Sequence, residues 1–156
     1  MKYATDTSVS VAKSRGEIED MIQRAGGKRF ASMYEDARAV VLFEMAHLRV
    51  MFELPLAGRD AFANRTSRGR PVANSPERQQ REWEQACRSK WRALALAIKA
   101  KLVSVDAGVE SFEEAFLAHL VVPTSGGAKR FSGPALKAIQ QAYTGGKLPP
   151  LLGDGR

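Results

Sequence analysis

The sequence predicts an α+β domain: a three-stranded antiparallel meander covered by a long amphipathic helix and shorter helices, in the order α-β-β-β-α-α-α. Three observations carry this. Capping-box spacings occur at Ser14–Glu17 and Ser111–Glu114. Between residues 28 and 55 the apolar period is two, as in half-buried strands. From Ser75 onward an apolar stripe recurs at helical spacing for about five turns.

In chain order, Ser14 caps a helix over about 15–25, with Ile18, Met21, Ile22 and Ala25 on one face and Gly26-Gly27 ending it. The alternating Val9-Ser10-Val11 before it reads as a short edge strand. Arg29–Tyr34, Arg38–Met45 and Leu48–Leu54 are the meander strands, joined at Glu35-Asp36 and Ala46-His47. A two-residue second turn sets Met45 opposite Leu48, Phe43 opposite Val50, Val41 opposite Phe52 and Ala39 opposite Leu54, with Glu44 beside Arg49 on the other face. Ala-His is a poor primed turn, so a longer loop with shifted register stays open.

Pro55 ends the last strand. Residues 56–74 are polar and arginine-rich, and read as a flexible basic loop. Ser75-Pro76-Glu77 then opens the long helix with cap, first-position proline and first-turn acid in order. Trp83, Cys87, Trp91, Leu94, Ile98 and Leu102 form its apolar face. A short helix with Phe116, Leu117, Leu120 and Val121 follows Ser111 and stops at Pro123. A linker at Thr124–Gly127, a last helix from Pro134 and an extended tail from 145 complete one domain over residues 1–156.

Charge is the most informative feature of the chain. Residues 1–58 carry 8 basic and 8 acidic groups, and residues 102–156 carry 5 of each. Residues 59–101 carry 11 against 4, which accounts for the whole net charge of +7. Arginine outnumbers lysine there 8 to 3, which suits forked contacts to phosphate. Arg65, Arg68 and Arg70 form a cationic arm in the loop. On an ideal helix Arg81, Arg88, Arg92 and Lys99 form one flank beside the apolar stripe, a row of about 27 Å. These seven residues are the candidate nucleic-acid contacts. A charge run of this kind equally serves as a solubilising face, and Glu77–Arg81 and Glu84–Arg88 have the spacing of surface ion pairs.

Other chemistry finds little support. His47 and His119 are the only histidines, and neither belongs to a zinc spacing. There is no Walker loop and no G-x-G-x-x-G, so neither a cofactor nor a metal is expected. Cys87 lies within the apolar stripe and reads as a small hydrophobe. Trp83 and Trp91 lie there too and read as core, although either can stack a base. With one cysteine, no signal-peptide pattern and no long apolar run, a cytoplasmic protein without a membrane span is expected.

Ser8–Glu19, Val41–Glu44, Arg49–Leu56, Trp91–Leu102 and Phe112–His119 together resemble a family of short hypothetical proteins encoded by bacteriophages and prophages. The likeness implies a phage setting in a bacterial cytoplasm and transfers no catalytic residue. The chain departs from that family at the hairpin turn, where the relatives tend to carry Gly, and in a longer region around Gly126–Ser132. The first five elements also repeat the element order of double-stranded-RNA-binding domains, an analogy of order alone.

The expected function is therefore non-enzymatic binding of nucleic acid by about four to five phosphate contacts with little base specificity. Single-stranded DNA is preferred as ligand, because an arm can wrap it, with duplex DNA or RNA as alternatives. The second expectation is a small effector that binds and inhibits an acidic host or defence protein through the same field. Leu148–Leu152 can serve as a docked or exchanged arm in a homo-oligomer.

Overall fold

The computed structural model describes residues 4–35, 37–124 and 127–130; the expected helix from Pro134 and the tail from 145 lie outside these residues. Its α+β order begins as the sequence predicts, with one helix ahead of three antiparallel strands.

The first helix, α1 (Val11–Arg24), starts one turn earlier than the capping box suggests. The Ser10 hydroxyl accepts the Lys13 N–H, so Val9–Val11 is a helix entry and not a strand. Ser14 faces inward with Ile18 and Ile22, all three fully buried. Four-residue spacing explains the error: Ser10 and Ser14 both have cap chemistry, and the earlier start puts the whole Ser14–Ile18–Ile22 stripe on the core. At the other end the Gly26 N–H donates to Gln23 and the Gly27 N–H to Ile22, with Gly26 at φ +86, the paired bonds of a glycine-terminated helix.

Strands β1 (Lys28–Glu35), β2 (Arg38–Met45) and β3 (Leu48–Pro55) pair in sequence order. The β2–β3 register matches the two-residue turn: Met45 pairs with Leu48, Phe43 with Val50, Val41 with Phe52 and Ala39 with Leu54. Ala46 and His47 adopt φ +49 and +64, the primed geometry whose twist matches the strands, although neither side chain favours it. On the outer face Arg49 donates to Glu44 at 2.7 Å and Arg29 approaches the same carboxylate. The Arg49 hydrogen bond holds the Glu44 carboxyl below its usual value.

Residues 56–74 are structured, contrary to the flexible-loop expectation. A 3₁₀ turn (Arg59–Phe62) leads into a second hairpin of β4 (Asn64–Ser67) and β5 (Arg70–Ala73). The turn residues Arg68 and Gly69 have φ +49 and +76, so Gly69 supplies half of a primed turn. The signal was obscured because every side chain of this hairpin is exposed, leaving no apolar alternation to read.

The long helix, α2 (Pro76–Asp106), has its Ser75 cap and Pro76 start as expected, and it buries Cys87, Trp91, Leu94, Ala95 and Ile98 against the sheet. α3 (Phe112–Phe116) carries the full capping box between Ser111 and Glu114. It is shorter than expected. Leu117–His119 is a 3₁₀ turn, and Val121 already belongs to a strand, β6 (Val121–Thr124), paired with β7 (Gly127–Arg130). Leu117 is consequently exposed rather than packed. Phe116, fully buried, meets Phe43 and Phe52 edge-on at centroid distances of 5.9 and 6.3 Å, locking α3 onto the sheet. His119 stacks flat on Phe52 at 3.9 Å.

Candidate functional site

Register places the three loop arginines on one finger. In the β4–β5 ladder Arg65 pairs with Val72 and Ser67 with Arg70, so all four side chains lie on one face of the ribbon. Arg65 and Arg70 are diagonal neighbours on that face, and Arg68 is at the tip. None of the three has a carboxylate within 4 Å among the described residues. An isolated two-stranded ribbon is marginal in water, so its base must be held by the rest of the fold. The Asn74 side-chain amide donates to the Phe62 carbonyl at 3.0 Å and to Glu82 at 3.1 Å, while its backbone N–H donates to Ala63. The Gln79 amide donates to the Arg59 carbonyl, and the Trp83 indole N–H to Ala57 at 3.1 Å. The first two turns of α2 are thus the pedestal of the finger.

The helical row does not survive as a free phosphate track. Its flank is the side on which α1 packs. Arg92 donates to Glu17 of α1 and is spent there. Arg88 sits 3.8 Å from Glu84 and donates to Gln85. Gln85 and Ser89 in turn bind backbone carbonyls of Thr5 and Thr7, which lays the N-terminal segment beside this flank. Lys99 has no ion pair among the described residues, but it lines a crevice of mixed charge with Glu17, Asp20, Arg24 and Arg92. Arg81 is exposed on α2, with Glu77 one turn before it and no carboxylate within 4 Å among the described residues. Arg78 is paired with Glu82 at 2.7 Å, and Lys101 donates to the Ala115 carbonyl, tying α2 to α3. The sequence-predicted patch therefore divides. Arg65, Arg68 and Arg70 on the finger have no carboxylate within 4 Å among the described residues, Arg81 stands exposed on α2 with Glu77 one turn before it, and Arg88 and Arg92 serve the fold.

Comparison with family models, curated proteins and solved structures finds no match for the chain. What the site can do must follow from its own geometry. Among the described residues no helix is long and apolar enough to cross a membrane, and no group of three or more His, Cys, Asp or Glu is placed to hold a metal.

A second constellation joins the basic segment to α1 and β1. A cleft of about 230 Å³ opens between α1, β1 and α2, walled by Trp83, Trp91, Cys87 and Tyr34, with Arg15 and Ser32 at one side. The Arg15 guanidinium donates to the Ser32 hydroxyl at 2.6 Å and lies 5.8 Å from the Trp91 ring. Tyr34, 57% exposed, and Met33, 51% exposed, form the edge-strand wall. Burial pushes the Cys87 thiol up, which keeps it protonated and makes it apolar wall rather than nucleophile. Sequence reasoning missed Arg15 because it belongs to a charge-balanced third of the chain. Only the packing of α1 on β1 brings it to aromatic side chains.

Proposed function

We propose that the protein is a non-enzymatic nucleic-acid-binding protein whose cationic finger, Arg65, Arg68 and Arg70, grips phosphates, with Arg81 on α2 as a further cation. The observation that carries the reading is a hairpin gathering three guanidinium groups with no carboxylate within 4 Å among the described residues, while Arg78, Arg88 and Arg92 on α2 are paired with carboxylates. Guanidinium groups that the fold does not use, held on a ribbon by a hydrogen-bonded base, retain their full field for an external polyanion. Such contacts position a backbone without reading sequence. Single-stranded DNA is the preferred ligand, in a bacterial cytoplasm under phage control, the setting that the resemblance read from the sequence implies. Electrophoretic shifts with single- and double-stranded DNA and RNA at two salt concentrations test the reading. Retarded oligonucleotide released by salt is the expected result. Retention of an acidic protein that is lost on charge reversal at Arg68 and Arg70, with every oligonucleotide ignored, decides instead for the effector reading.

A further inference from the structure

The aromatic cleft bounded by Trp83, Trp91 and Tyr34 adds what the finger lacks, a surface for a base. We infer that it receives one unpaired base of the strand whose phosphates the finger holds, an inference that rests on the phosphate-binding reading above.

At about 230 Å³ the cleft is smaller than the roughly 300–1,000 Å³ of drug-sized sites and suits a single ring system. Trp83 and Tyr34 offer flat surfaces that stack on any base irrespective of sequence, and the buried Trp91 lines the cleft beside them. Arg15 answers the charge that a base brings with it. Ser32 accepts one of its N–H groups and fixes the guanidinium beside Trp91. A guanidinium has five such donors, and no carboxylate approaches this one within 4 Å among the described residues. A cation so placed beside an aromatic slot matches a nucleotide, whose ring enters while its phosphate stays at the rim. A purely apolar guest gives the remaining Arg15 donors no partner.

The cleft is also adjacent to the finger. Trp83 forms a wall of the cleft and, through its N–H to Ala57, binds the segment that leads into the finger. Bases in a duplex are stacked and paired, so occupancy selects single strands, or duplex only after a base is extruded.

Both tryptophans of the chain line this cleft, so their emission reports on it and the blunt duplex controls for any effect transmitted from the finger through Trp83, while anisotropy of a labelled oligonucleotide reports total binding. The test titrates the full chain with a labelled thymidine dodecamer and, separately, with a blunt duplex of the same length. Tyr34→Ala and Arg15→Gln are the variants, both at exposed positions where folding should be retained and is checked by circular dichroism. The dodecamer should quench tryptophan emission, the duplex should bind without quenching, and Tyr34→Ala should weaken the dodecamer about tenfold with the salt dependence unchanged. If the dodecamer binds with unchanged emission and Tyr34→Ala has no effect, the cleft proposal is overturned while the finger reading stands. If neither ligand raises the anisotropy at low salt, the phosphate reading falls and the base pocket falls with it.

Discussion

Neutralising the finger should change how strongly salt opposes binding. The substitutions are Arg65→Gln, Arg68→Asn and Arg70→Gln. Asn suits the left-handed turn position at Arg68, φ +49, better than Arg does, so the hairpin is preserved or improved. Among the described residues, Arg65, Arg68 and Arg70 of the finger and Arg81 of α2 have no carboxylate within 4 Å, which leaves four guanidiniums to count as phosphate contacts. Each phosphate neutralised on a single strand contributes about −0.7 to the slope of log K against log salt, so the native chain should give about −2.8 and the variant about −0.7. Raising salt from about 50 to about 200 mM then weakens the native complex about 50-fold and the variant only about threefold. Fluorescence anisotropy of a labelled single strand over that range measures both slopes. A variant that keeps the native slope would refute the assignment of phosphates to the finger, and a flat native slope would refute phosphate binding altogether.

Three further outcomes test the fold that presents the finger. Replacing Ala46-His47 by Asn-Gly, which favour positive φ, should raise the melting temperature by relieving left-handed strain of about 1–2 kcal/mol per residue, and an unchanged or lower value contradicts the primed turn. Phe116→Ala should cost about 3–5 kcal/mol in denaturant unfolding, because its ring is fully buried between Phe43, Phe52 and Phe112. Backbone and hydroxyl hydrogen bonds from Ser111 hold the Glu114 carboxyl below its ordinary 4.5. A group lowered in the folded state stabilises above its unfolded value and loses that contribution as pH falls through the folded one. Thermal melts across the acid range should therefore show Glu114→Gln losing less stability below about pH 4.5 than the native chain, and parallel curves would exclude the capping role.

Much of the fold was legible because its signals are local or strictly periodic. The β2–β3 register is the one that a two-residue turn implied from matching apolar residues; the sequence left a longer loop with shifted register open, and the structure chose between them. The Ser75 and Ser111 caps could be read because a hydroxyl and the N–H three residues on define them alone. Ser14 misled for the same reason: cap chemistry recurs at Ser10, and burial decided between them. The β4–β5 finger stayed hidden because an all-exposed ribbon has no apolar pattern, and Arg68-Gly69 is a faint turn signal beside Asn-Gly.

For the candidate site, the sequence alone determined which residues carry the excess charge and that it lies between residues 59 and 101, because charge is a sum over identities and needs no geometry. Tertiary structure decided which of those charges are free. Arg92 meets Glu17 across 75 residues of chain, a pairing that no spacing rule contains, while the finger holds its arginines clear of every described carboxylate. It also decided that Arg15, remote in sequence from both tryptophans, sits at their cleft. A Coulomb interaction falls with distance in space and is indifferent to distance along the chain, so only the packing of α1 on α2 and β1 could sort used cations from available ones.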